Sequence, residues 1–162
     1  MNRIKEFFIQ QKLSKKRKLN GRKKLVKFNQ IRNITILSDT EENSTIAQKA
    51  IAGLWEHELN IMFIYMENNP AYECYDYNDF NILGQPKEKI REIIAKPTDI
   101  VMVTHTWMDP LTAHLLKLMQ NVYSMGFYNT NNEKYLDLML EREEGSLEDN
   151  IKNLVKYLKK IS

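Results

Sequence analysis

A single cysteine, Cys74, leaves no partner for an intramolecular disulfide and too few thiols for a cysteine-based zinc ribbon. No apolar run in the 162 residues approaches the roughly eighteen that a membrane-spanning helix needs. Five glycines and four prolines are too few for a collagen-like or low-complexity chain. The hydrophobic content, 43%, is too high for global disorder. What remains is one domain, long enough to bury roughly two-thirds of its unfolded surface.

Charge is plentiful but unevenly placed. Residues 1–28 carry eleven Lys and Arg against one acid, Glu6, a balance of +10. The remaining 134 residues carry thirteen bases against twenty acids, a balance of −7. The chain therefore reads as a basic N-terminal arm, residues 1–28, followed by an acidic body, residues 29–162. The arm attracts polyanions and the body repels them. Phe7-Phe8-Ile9 is cut short by Gln10-Gln11-Lys12, so the arm lacks the apolar core of a secretory signal. It is Lys-dominated with one serine, unlike an organellar transit peptide, and the expected location is cytoplasmic.

Within the arm, Ile4, Phe7 and Phe8 share one face of a short helix, the expected docking face. The densest bases follow, Lys15, Lys16, Arg17 and Lys18, then Arg22, Lys23 and Lys24 after the Asn20-Gly21 break. This segment is too charged to pack and is expected to be mobile unless bound. These seven residues are the candidate nucleic-acid contacts, to structured RNA or a ribonucleoprotein.

Past Phe28 the pattern alternates strand and helix. Ile31–Leu37 reads as a strand, Ser44 caps a helix over 45–59, and Ile61–Met66 is a second buried strand, together a parallel βαβ unit. An edge strand is expected around Phe80–Leu83, and a helix over 87–95 is stopped by Pro97. Asp99–Thr104 is a strand buried on both faces. Asp109-Pro110 opens a helix to about Asn121, and Tyr123–Tyr128 is another strand. Leu136–Leu140 suits a strand or one helical turn equally. Ser146 with Asp149 starts a last helix with Leu147, Ile151, Leu154, Val155 and Leu158 inward. The expected class is an α/β three-layer sandwich with a mostly parallel, Rossmann/flavodoxin-like sheet.

The blocks FNQIRNITIL-SD, LGQP, KPTDIVMV, DPLTAHLLKLMQNVYSMGFYN and YLDLMLE, behind a basic lead, resemble a family of small uncharacterised proteins of Bacteroidetes-type bacteria. The resemblance covers most of the chain from Phe28 onward. It implies a cytoplasmic α/β domain and carries over no active-site residue.

Ligands of open parallel sheets bind beyond the strand carboxyl ends. Asp39, Thr40, His105 and Asn129 are the candidate ligand-binding residues there, with Asp39 and His105 as an acid–base pair. The turn after the first strand has no glycine, and Glu41 and Glu42 stand where a phosphate would sit, so no nucleotide or flavin cofactor is expected. His57, His105 and His114 include no pair spaced i, i+4, so no metal is expected either. Cys74 lies among Tyr72, Tyr75, Tyr77 and Phe80 on an acidic loop, an aromatic cluster suited to protein contact or to pinning its own loop.

These features describe a non-enzymatic protein whose arm tethers it to RNA or a ribonucleoprotein while the body contacts protein. Two alternatives stand beside it. One is a small enzyme or ligand-binding domain using the Asp39/His105 crevice. The other is an arm used for self-association as a homodimer, or for an anionic membrane surface.

Overall fold

A computed structural model describes residues 2–15, 23–69, 71 and 73–162. Lys16, Arg17, Lys18, Arg22 and Tyr72 lie outside the described residues. The strands are β1 (Asn33–Ser38), β2 (Asn60–Met66), β3 (Cys74–Tyr75), β4 (Ile100–Val103), β5 (Tyr123–Phe127) and β6 (Leu138–Leu140). The helices are α1 (Asn2–Ser14), α2 (Glu41–Ile51), α3 (Glu88–Ala95), α4 (Pro110–Leu118) and α5 (Leu147–Ile161). All six strands pair in parallel, in the order β3-β2-β1-β4-β5-β6. This is the Rossmann order, and the chain reverses direction across the sheet between β1 and β4.

Strand alternation divides the core in two. Ile34 and Ile36 of β1, Ile100 and Met102 of β4, and Met125 and Phe127 of β5 face α2 and α5. Leu37, Val101 and Val103 face the other way, toward α3, α4 and α1. β4 is buried along its whole length, as its apolar run requires between two helix layers.

The starts of α2, α4 and α5 follow cap chemistry, with one shift. Asp109 caps α4, with Pro110 in the first turn, and Ser146 caps α5 by accepting from Asp149 N. The α2 cap is Thr40 rather than Ser44: Thr40 has extended backbone and accepts from Asn43 N, while Ser44 is buried one turn inside. Glu41 and Glu42 then occupy the first turn, where the helix dipole favours acids. The helix stops at Ile51, short of residue 59, because Gly53 takes a left-handed conformation. That turn lets Trp55 stack on Phe28, 4.4 Å between centroids, and donate Nε1–H to Phe28 O at 3.0 Å.

The irregular stretch also differs from expectation. The edge strand is Cys74–Tyr75, and Phe80 makes only an isolated antiparallel bridge to Pro86. Cys74, Tyr75 and Phe80 are fully buried. The described aromatics thus pin their own segment to the sheet edge, and Cys74 belongs to a buried strand rather than a surface loop. Residues 138–140 resolve the helix-or-strand ambiguity as β6, paired with β5.

The N-terminal helix is docked, but through a different face. Ile4 and Phe7 are each 55% exposed, whereas Lys5 and Ile9 are buried. Ile9 fits because Gly84 opposite it has no side chain: a Cβ there would come within 2.9 Å of Ile9 Cγ1. Gly84 also has φ +66, which glycine adopts at little cost. Lys5 Nζ donates to Tyr77 O (3.0 Å) and Lys12 Nζ to Gly84 O (3.2 Å). From α4, Lys117 Nζ donates to Lys12 O and Lys15 O, supplying partners for carbonyls at the α1 C-terminus. Two lysines of the basic arm outside the candidate contacts, Lys5 and Lys12, thus fasten this helix to the body.

Candidate functional site

The carboxyl ends of β1 and β4 meet where strand order reverses, the usual ligand position in this architecture. Ser38 ends β1 and Thr104 directly follows β4, and both are buried. Thr104 Oγ1 donates to Ser38 Oγ at 2.9 Å, so the two hydroxyls satisfy each other. Beyond them, Asp39 Oδ1 accepts from Asn43 Nδ2 at 2.7 Å, and Thr40 Oγ1 is the α2 cap. Asn129 is a turn former: its Oδ1 accepts from Asn131 N and its carbonyl from Asn132 N.

His105 is 8% exposed, and neither ring nitrogen has a hydrogen-bond partner among the described residues. Its Nε2 lies 3.7 Å from Asp109 Oδ2. The carboxylate nearest the ring is therefore Asp109 rather than Asp39, although Asp39 and Asp109 both act electrostatically on it. The i, i+4 spacing of His105 and Asp109 was visible in sequence. It works here without a shared helix, because the turn before the cap folds the imidazole back toward the carboxylate. Asp109 Oδ1 meanwhile accepts from Leu111 N and Thr112 N, both at 2.9 Å. Its Oδ2 accepts from Thr112 Oγ1, which is also 2.5 Å from Tyr75 OH. A buried polar chain thus runs from Tyr75 through Thr112 and Asp109 toward His105. Burial raises the Tyr75 pKa beyond its ordinary value, so the phenol stays protonated.

Asn132 carries no distinguishing mark within Asn129-Thr130-Asn131-Asn132, yet it is fully buried. Its Nδ2 donates to Thr106 O (2.8 Å) and Phe127 O (3.0 Å), tying the loop after β4 to the end of β5. Trp107 stands 69% exposed beside this loop. Among the described residues, no three His, Cys, Asp or Glu side chains are grouped to hold a metal ion. No described helix is long and apolar enough to cross a membrane.

Burial lowers the pKa of His105, against the opposing pull of Asp109 and Asp39. Burial likewise lowers that of His114, whose Nε2 donates to Gly84 O at 2.7 Å. The unfolded chain then binds protons at these positions before the folded one does. Stability is expected to be full above about pH 6.5 and to fall as the pH drops through and below that value. Thermal melts between about pH 7.5 and 5.5 should show this slope, and His105→Asn and His114→Asn should each flatten it. Equal slopes in wild type and both variants would exclude these histidines as the source.

The basic candidates separate. Lys15 and Lys24 are exposed, whereas Lys23 is held by the body, its Nζ 2.7 Å from Val122 O and 2.8 Å from Asp137 Oδ2. Burial lowers the pKa of Lys12 and Lys117, and the charge of Lys15 lowers both further.

A model of a family of unknown function matches residues 5–161, from within α1 to the end of α5. No curated protein and no solved structure matches the chain.

Proposed function

We propose, for a chain that belongs to the family of unknown function DUF6913, that it is a non-enzymatic cytoplasmic adaptor of Bacteroidetes-type bacteria that binds RNA or a ribonucleoprotein through its basic segment. One observation carries this reading: ten net positive charges in residues 1–28 against seven net negative in the rest. An acidic body turns away from a polyanion, so the approach is oriented. Arg3, Lys15, Lys24 and Lys27 are exposed, in keeping with phosphate contact. The crevice offers less to a substrate, because Ser38, Thr104, Asp39 and Thr40 already have partners.

Binding of the full chain to a labelled structured RNA, across a salt series, tests the proposal. With about six phosphates engaged, affinity should fall on the order of a thousandfold between about 50 and 200 mM salt. Lys16→Gln, Arg17→Gln, Lys18→Gln and Arg22→Gln together should reduce the logarithmic salt slope by roughly three. Absence of binding at low salt, or an unchanged slope in the variant, would overturn the reading.

A further inference from the structure

Crossovers in a parallel sheet ordinarily carry a helix that covers the sheet. The crossover from β5 to β6, residues 128–137, carries only a 3-10 turn, Asn132–Lys134. Among the described residues, this crossover therefore supplies no helix against the outer flank of α4. A cavity of about 900 Å³ lies between α1, α4 and this crossover. Its size is that of a small-molecule site, and such sites are commonly found between helices.

The lining is apolar on one side and basic on the other. Leu13, Met108, Ala113 and Leu116 form a hydrocarbon wall. Lys15, Lys117 and Lys134 stand around it, with Glu133 and Asp137. Of the acids, Asp137 is paired with a cation: its Oδ2 accepts from Lys23 Nζ (2.8 Å), Ser124 N (2.8 Å) and Ser124 Oγ (2.9 Å). Glu133 Oε1 accepts from Tyr128 OH at 3.3 Å. Among the described residues, the ammonium groups of Lys15 and Lys134 have no such partner.

We infer that this cavity binds a single-chain amphiphile with an anionic head, a long-chain carboxylate, its alkyl chain against Leu13, Met108 and Leu116 and its carboxylate between Lys15 and Lys134. Charge complementarity selects the head group. The crowding of Lys12, Lys15 and Lys117 adds to this, because an anion relieves it. The helix missing from the crossover provides the room.

The test is titration of the full chain with dodecanoate below its micellar concentration, beside dodecanol and dodecyltrimethylammonium. Dodecanoate should bind at least tenfold more tightly than dodecanol, and the cation should not bind. The methyl NMR signals of Leu13, Met108 and Leu116 should shift, while those of Ile34 and Ile151, on the far face of the sheet, stay still. Lys134→Glu, a substitution outside the proposed RNA contacts, should weaken dodecanoate about tenfold and leave RNA binding nearly unchanged. Equal affinity for acid and alcohol, unmoved Met108 and Leu116 signals, or an unaffected Lys134→Glu would each overturn the inference.

Discussion

A chain beginning at Asn29 should lose its cooperative thermal transition and bind a hydrophobic dye at ambient temperature. The segment it lacks closes both faces of the sheet. On one face Ile9 of α1 is fully buried in the cluster of Leu37, Tyr75, Ile90 and Leu115. On the other, Leu25, Val26 and Phe28 pack against the cluster of Ile34, Ile51 and Ile151. Removing the segment would expose both clusters and strip Tyr77 O and Gly84 O of their lysine partners. A milder version is Ile9→Ala, which should cost about 2–5 kcal/mol, a melting point lower by roughly 5–15 °C. A wild-type melting point in both variants would show α1 to be a passive appendage. The consequence for binding work is direct. Deletion of the first 28 residues confounds charge with folding, so the basic segment has to be tested by substitution.

Gly126→Val should be comparably damaging, for a reason internal to the sheet. Gly126 is buried in β5 on the face that meets Leu136. A Cβ there would lie 2.9 Å from Leu136 Cδ1 and 3.0 Å from Val103 O. The leucine tip can rotate away; the carbonyl belongs to the neighbouring strand and cannot. Valine adds two methyl groups to that conflict and should cost about 3 kcal/mol or more. Gly126→Ala should cost less, and Leu136→Ala in that background should recover part of the loss, a positive coupling in a double-mutant cycle. A Gly126→Val protein melting within a degree of wild type would refute the close contact.

The alternation of apolar runs with amphipathic stretches was enough to read a parallel α/β sandwich, because both periods are local and both are enforced by burial. Asp109-Pro110 and Ser146 marked their helix starts for the same local reason: caps act within four residues. Ser44, expected to cap α2, is instead docked into the core one turn inside the helix, which leaves the cap to Thr40. Part of the candidate site was legible too. Asp39 and His105 do lie at the carboxyl ends of the two strands where the order reverses. The carboxylate that meets His105 differs from the expected Asp39: Asp109 approaches the ring, across a turn in which Asn132 holds Thr106 O.

The N-terminal segment shows where sequence ends and tertiary structure begins. Its charge, and hence its attraction to polyanions, belongs to composition alone. Which lysines remain available does not. Lys5, Lys12 and Lys23 bond Tyr77 O, Gly84 O and Asp137, partners 72 to 114 residues away. The burial of Ile9, while Phe7 stays exposed, rests on a glycine 75 positions later, whose missing side chain leaves room for it. Helical periodicity states which residues share a face, but the shape of the surface opposite selects the face that docks.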